Sequence, residues 1–361
     1  MRALVIFLSV LPALAPILAS PSVARAEIQP DWYSSLVSDR GLEIDADVRL
    51  FTLFAALNSL GYDDGPLARK DPIPRPALSA ARLLVRTRAP VPPALAARFQ
   101  AFFDAHPAPL RAYVAFVTSL GAPPEFAPGS PPAEAASLKG FEALLAEYYR
   151  TTGVAAAHAE LLPQYRTAIA GSLTSMDAAF ASADRLLASA RGEQPAPPVI
   201  ALDLLAAPGS GYGLRQGGGT LISVGPGPSG DRPDVERAIE LYAQVRAGAM
   251  IEERAAAVRG LPDLLAKVRR AHLAAGDLAP GEYLSSCFSF ALAASAIPEE
   301  RAAELDRADA NGCWISRDLE KVLSETASSP SASPLDALLT EGLSALDLRR
   351  VGPGPDQAEG R

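Results

Sequence analysis

One stretch of the sequence decides the fold: Thr220-Leu-Ile-Ser-Val224, then Gly225-Pro-Gly-Pro-Ser-Gly-Asp-Arg232, then Pro233-Asp-Val-Glu-Arg-Ala-Ile-Glu-Leu-Tyr-Ala-Gln-Val-Arg-Ala-Gly-Ala-Met250. The first part is a short run rich in β-branched and apolar residues, the second is a Gly/Pro loop, and the third has the apolar spacing of a helix. This is the clearest strand–loop–helix unit in a chain that otherwise favours helices. A catalytic centre would be expected here.

Two further runs upstream also indicate strands. Segments 199–205, 212–216 and 220–224 are short, rich in β-forming residues and separated by Gly-rich turns. Strands joined by such short turns are typical of an antiparallel sheet. The sequence therefore predicts a mainly α protein with a small antiparallel β-sheet, an α+β class.

Helices are predicted on both sides of these strands, most of them opened by a proline, which helices accept in their first turn. The predicted helices cover residues 45–61, 76–88, 93–106, 109–120, 131–150, 154–191, 233–259, 262–275, 280–296, 298–308, 317–325 and 334–346. Pro163 is expected to kink or divide the long helix over 154–191.

The N-terminus has the pattern of an export signal. Met1-Arg2 is followed by an apolar run from Ala3 to Leu18, and Ala24-Arg-Ala26 matches a small-x-small cleavage site. We expect a secreted or periplasmic protein. The predicted organisation is a signal peptide over 1–26, a helical region over 27–192, a region of strands and then helices over 193–348, and a disordered tail over 349–361.

The overall charge narrows the classes of partner. The 361-residue chain has a formal net charge of −8, with no strongly basic stretch. Such a balance argues against nucleic acid and anionic membranes as partners. No segment after the signal is apolar enough to predict membrane insertion. Gly225-Pro-Gly227-Pro-Ser-Gly230 matches G-x-G-x-x-G, but its prolines remove N–H groups that a phosphate would need, so no cofactor is predicted.

The two cysteines, Cys287 and Cys313, leave two interpretations open. In an oxidising compartment they could form one disulfide. Alternatively they are two buried free thiols, because Cys287 lies in an apolar helical run and buried cysteine behaves as a small hydrophobe.

Common catalytic motifs are missing from the sequence. There is no G-x-S-x-G and no G-x-x-x-x-G-K-[ST]. The three histidines, His106, His158 and His272, are too far apart to form a local ligand motif, and each is expected to be a surface or packing residue.

Three segments resemble one known family. They are Asp47-Val-Arg-Leu-Phe-Thr-Leu-Phe-Ala-Ala-Leu-Asn-Ser-Leu-Gly-Tyr-Asp63, Val224-Gly-Pro226 with the helix after it, and Tyr283-Leu-Ser-Ser-Cys-Phe288. The family is a group of secreted bacterial gluzincin-like zinc metallopeptidases of poorly known function. In that family the helix after the Val-Gly-Pro turn bears H-E-x-x-H, and a later helix supplies a third ligand. The resemblance implies a zincin-like scaffold.

At the matching positions this chain lacks the zinc ligands. The H-E-x-x-H segment is replaced by Ile239-Glu240-Leu241-Tyr242-Ala243, and Ser286 stands at the position of the third ligand. Histidines at i and i+4 hold zinc because they share one helix face, and here neither is present. Ile239 and Ala243 instead continue an apolar stripe with Val235 and Tyr242. Glu240 remains as a residual candidate base, although a solvated helix residue is the expected role.

Three functional hypotheses follow. The leading one is an exported, non-catalytic pseudo-metallopeptidase that binds a peptide or protein. The alternative is a residual hydrolase with a non-standard metal set such as Glu240, Glu282 and His272. The third is a structural helical module of the cell envelope.

Overall fold

The computed structural model describes residues 34–61, 79–188, 196–206, 209–216, 218–227, 232–271, 277–327, 333–346, 348 and 351. Within these residues a large helical body packs against one small sheet, which confirms the predicted mainly α, α+β class. The predicted signal peptide over 1–26 lies outside the described residues. So does the predicted tail over 349–361, apart from Val351.

The sheet is mixed, so the predicted antiparallel arrangement was wrong. Its strands are β1 (Ser35–Val37), β2 (Glu43–Asp45), β3 (Val199–Leu202), β4 (Gly211–Gln216) and β5 (Gly219–Val224), in the spatial order β1-β2-β3-β5-β4. The β1–β2 and β4–β5 pairs are antiparallel, whereas β2–β3 and β3–β5 are parallel. After β3 the chain skips the neighbouring position in the sheet and forms β4 at the edge. It then turns back and fills the position between β3 and β4 as β5, which therefore runs parallel to β3.

Strands β1 and β2 were not predicted from the sequence. Each has only three residues, too few to show an alternating pattern. Their pairing stabilises them instead, because Ile44 of β2 stands opposite Ile200 of β3 and both side chains are fully buried. The sheet thus combines two strands from the region predicted over 27–192 with three strands from the region predicted over 193–348.

The helices follow the predicted order, and most are a few residues shorter than predicted, although α9 keeps its predicted bounds and α11 is longer. They are α1 (Val48–Ser59), α2 (Ala80–Arg88), α3 (Pro93–Ala105), α4 (Leu110–Thr118), α5 (Phe141–Thr151), α6 (Val154–Leu187), α7 (Val235–Arg254), α8 (Leu261–Arg270), α9 (Pro280–Ala296), α10 (Arg301–Ala310) and α11 (Ser316–Ala327). A 3₁₀ helix over Ala133–Leu138 replaces the first part of the helix predicted for 131–150. Short helical turns over 334–345 close the described fold.

Helix α6 is one continuous helix of 34 residues, so Pro163 does not divide it. Proline removes the hydrogen bond to the carbonyl four residues earlier, here that of Ala159. Pro163 and Ala159 both lie on the exposed side of α6, where water can satisfy that carbonyl. The buried stripe through Leu161, Leu162 and Tyr165 holds the helix together across the proline.

Helix α7 begins at a well-formed cap and packs closely on β4. The Asp234 carboxylate accepts a hydrogen bond from the backbone N–H of Arg237 at 2.8 Å, which satisfies a free donor of the first turn. Gly211 and Gly213 allow the close packing, since a Cβ on Gly213 would stand 2.7 Å from Val245 Cγ2 and 2.9 Å from the Leu241 carbonyl oxygen.

Replacing Gly213 by alanine is therefore expected to destabilise the protein by about 1–3 kcal/mol through overpacking. The matched control is Gly171→Ala in α6, where an added Cβ meets nothing within 4 Å. There the better helix former should stabilise by about 0.5–1 kcal/mol. Chemical denaturation of both variants measures the difference; equal shifts in the same direction would contradict the close contact between β4 and α7.

Candidate functional site

A cleft lies where β4, α7 and α9 meet. Its volume is about 530 Å³, within the range of sites that hold small molecules or peptide side chains. Four segments line it: the start of α4 at Arg111, Gly211–Gly213 of β4, one side of α7 from Arg237 to Glu252, and the segment from Leu278 through Ser286 that begins α9.

Helices α7 and α9 run side by side in opposite directions and form the floor of the cleft. A Cβ on Gly248 of α7 would stand 3.0 Å from Ser285 Oγ, and one on Gly281 would stand 3.3 Å from the Glu252 Cα. Gln244 Nε2 lies 3.4 Å from Ser289 Oγ further along the same contact. The start of α9 therefore lies beside the end of α7.

The outer edge of β4 faces this cleft. In an antiparallel pair, the backbone groups of successive residues point alternately to the partner strand and away from it. Ser210 accepts from the Gly225 N–H on the β5 side at 2.9 Å. Gly213 accepts from Arg111 Nη2 on the opposite side at 3.2 Å. Gly211 and Gly213 thus direct their backbone groups outward, and no other described strand pairs with that edge.

Helix α4 covers only the far part of this edge. Gln216 Nε2 donates to the Thr118 carbonyl at 2.8 Å, at the opposite end of α4 from Arg111. These two contacts place α4 alongside residues 213–216. The edge at Gly211 opens into the cleft.

Ile239 and Ala243, which stand where H-E-x-x-H would place its histidines, do not line this cleft. Ile239 and Ala243 are fully buried, which confirms the apolar stripe expected from the sequence. The side chains of α7 that line the cleft lie on a neighbouring face of the helix and include Arg237, Leu241, Gln244 and Val245. Ser286 and Glu282, on α9, do line the cleft.

Glu240 is a buried ion-pair residue, and the expectation that it is solvated was wrong. It is 1% exposed, its Oε2 accepts from Arg237 Nη1 at 2.6 Å, and its Oε1 accepts from Arg307 Nη2. A general base needs an oxygen that can reach a water or substrate proton. Both oxygens of Glu240 are instead engaged by guanidinium groups.

The residues present do not fit a zinc ion. Zinc in proteins needs at least three N, S or O donors arranged tetrahedrally. Ile239 and Ala243 carry no donor, Glu240 is held by two arginines, and Glu282 accepts from the Ala279 N–H at 2.9 Å at the start of α9. Across the described part of the chain, no group of three His, Cys, Asp or Glu side chains is placed to hold a metal ion.

The histidines are packing residues where the structure describes them. The ring of His158 packs edge-on against Phe51 at a centroid distance of 4.7 Å, and burial lowers its pKa to about 4. His158 is therefore neutral at pH 7. His106 ends α3 and stacks on Phe102 at 4.2 Å. His272 lies outside the described residues, so the proposed Glu240, Glu282 and His272 set has no described geometry.

The Glu240 pair belongs to a wider buried network that links α7 to α10. Arg307 bridges two buried carboxylates: besides Glu240 it donates from Nε to Glu304 Oε2 at 3.0 Å. The Arg307 guanidinium also lies 5.3 Å from the centre of the Phe290 ring on α9. The network thus ties three helices together directly behind the cleft, and Arg237 is its one member that reaches the cleft.

Within this network Glu304 is the residue with the unusual acidity. Burial, together with the neighbouring Glu240 carboxylate, raises the pKa of Glu304 to about 8, and the Arg307 guanidinium only partly opposes this rise. Glu304 is 3% exposed, and its Oε1 has no hydrogen-bond partner. Glu304 therefore releases its proton at a higher pH than an ordinary glutamate does.

Cys287 and Cys313 are both buried and are free thiols in this structure. Burial raises the pKa of the Cys287 thiol, so it stays protonated and unreactive. The Cys313 thiol lies 3.8 Å from Ser286 Oγ, just behind the cleft wall.

Sequence reasoning missed the buried network behind this cleft and the contact of Arg111 with β4. Glu304 and Arg307 were readable as an i,i+3 pair on a predicted helix. Their partner Glu240 is 67 positions away from Arg307, and no local signal connects them. The placement of Arg111 against Gly213 is likewise a contact between distant segments.

Comparisons with known proteins place the chain in no family: no family model, no curated protein and no solved structure matches it. In the part of the chain that the structure describes, no helix is both long enough and apolar enough to cross a membrane.

Proposed function

We propose that this protein is an exported, non-catalytic pseudo-metallopeptidase that binds an extended peptide segment in the cleft between β4, α7 and α9. The export part of the proposal rests on the signal pattern over residues 1–26. The binding part rests on the cleft.

One observation carries the binding proposal: the open backbone edge of β4 at Gly211 faces a cleft of about 530 Å³. An unpaired strand edge is a template for an added strand, and main-chain hydrogen bonds to it supply affinity for many peptide sequences. The side chains of α7 and α9 that line the cleft would then contact alternate side chains of the peptide.

The order of the elements supports the pseudo-peptidase part. Helix α7 follows the Val224-Gly-Pro226 turn, and α9 packs against it with Ser286 in the cleft. That is the order which the resemblance to zinc peptidases implies. The scaffold we propose has kept this layout, while Ile239 and Ala243 have turned the metal face of α7 into core.

Selection from a random library of octapeptides with blocked ends tests the proposal. Selected peptides should bind the purified protein saturably, without added metal, and should not be cleaved. Ser286→Phe, which fills the cleft, should weaken binding at least tenfold. The matched control is Ser175→Phe on the exposed side of α6, which should bind as the unaltered protein does.

Two outcomes would contradict this proposal. If no peptide is enriched, the structural-module hypothesis becomes the better one. If selected peptides bind Ser286→Phe unchanged while its melting temperature also stays unchanged, the binding site lies elsewhere on the surface.

A further inference from the structure

The charges of the cleft are separated along its length, and we propose that it selects a dipolar peptide. The preferred segment carries an acidic side chain at one end and a Lys or Arg side chain about six residues away. This inference rests on the proposed peptide-binding function and adds to it the chemistry of the ligand.

One end of the cleft is cationic. Arg237 lines it from the first turn of α7; its Nη1 donates to Glu240, its Nε is buried, and Nη2 remains for a ligand. Arg111 lines the middle of the cleft, next to Gly213. Two guanidinium groups beside an open strand edge are suited to the planar carboxylate of Asp or Glu.

The other end of the cleft is anionic. Glu252 closes the C-terminal part of α7 and Glu282 opens α9, and both line the cavity. Glu252 is exposed and makes no ion pair with another described residue. Glu282 is partly engaged by the Ala279 N–H. Arg269 donates to the Leu278 carbonyl at 3.4 Å and does not line the cavity.

Helix geometry sets the distance between the two ends. Arg237 and Glu252 are separated along α7 by roughly 22 Å at about 1.5 Å per residue. An extended peptide advances about 3.3 Å per residue, so about six to seven residues span that distance. Arg111, placed near Val245 through Gly213, lies closer to Glu252 along the same axis, at roughly 10 Å. The cleft therefore distinguishes peptides by where their charges fall as well as by their net charge.

The first test compares octapeptides of one composition with acetylated and amidated ends. In one pair, a Glu and a Lys are separated by five uncharged residues, in both orders, because the direction of the bound peptide is not assumed. In the other peptide the same two residues are adjacent at the centre. Fluorescence anisotropy at low salt should show that one of the two peptides with separated charges binds about fivefold more tightly than the peptide with adjacent charges. High salt should reduce this difference in affinity.

The second test reverses one charge of the cleft. Glu252→Lys should remove the preference for the dipolar peptide and favour a peptide with Glu at both positions. Glu253→Lys is the matched control, since it changes the charge equally on the next residue of α7, which is exposed and does not line the cleft. The control should keep the original preference.

The results separate the two levels of the proposal. Equal affinity for all charge arrangements, with binding still lost in Ser286→Phe, would overturn the charge selection and leave peptide binding standing. No measurable binding of any peptide would overturn both. Should Glu252→Lys fail to fold, the comparison of peptides on the unaltered protein decides the question by itself.

Discussion

Replacing Glu240 by alanine should destabilise the protein by about 3–5 kcal/mol, the cost typical of removing one partner of a buried ion pair. Glu240 accepts from both Arg237 and Arg307, and its removal takes away the carboxylate that these two guanidinium groups share. The lost charge-assisted hydrogen bonds, together with the cavity that the buried side chain leaves, are the main source of the loss. Urea denaturation monitored by circular dichroism measures the effect.

The control for this prediction lies on the same helix. Glu253 is exposed on α7, and its replacement by alanine should change stability by less than about 0.5 kcal/mol. If Glu240→Ala were as mild as Glu253→Ala, the buried network would have no structural weight, and Glu240 would again be a candidate for chemistry.

Stability should also fall as the pH rises from about 4.5 to about 8, because of Glu304. Its pKa is raised from 4.5 to about 8 on folding, so within that window the folded protein holds a proton that the unfolded chain releases. The stability that this proton provides is complete below pH 4.5 and is lost by about pH 8. The slope contributed by this residue is at most about 1.4 kcal/mol per pH unit.

Glu304→Gln tests this assignment, since glutamine keeps the shape and neutrality of the protonated acid. The variant should lose the downward slope and should be more stable than the unaltered protein near pH 8.5. Glu320→Gln is the matched control: Glu320 is equally buried and accepts from Arg301, and its replacement should leave the slope in place. An unchanged slope in Glu304→Gln would show that another group causes it.

The sequence predicted the elements of this cleft better than their arrangement. Helices α7 and α9 were predicted because Pro233 and Pro280 stand at the start of segments that favour helix. Ile239 was correctly placed in the core, because its apolar stripe repeats at helical spacing.

What could not be predicted depends on contacts between distant segments. Glu240 was expected to be solvated because charged residues usually are, but Arg307 of α10 joins Arg237 in pairing with its buried carboxylate. The parallel pairing of β3 with β5 depends on the path of the chain around β4, which no turn residue specifies. Strands β1 and β2 are too short to show the alternating pattern by which a strand is predicted.

A peptide that adds to the free edge of β4 must pair with the outward backbone groups of Gly211. Amide hydrogen exchange across residues 209–216, with and without a saturating selected peptide, tests this most directly. Binding is expected to slow exchange at the Gly211 amide, whose N–H group faces the cleft, and to leave the Tyr212 amide, which faces β5, nearly unchanged. Saturable binding with no added protection at Gly211 would contradict strand addition.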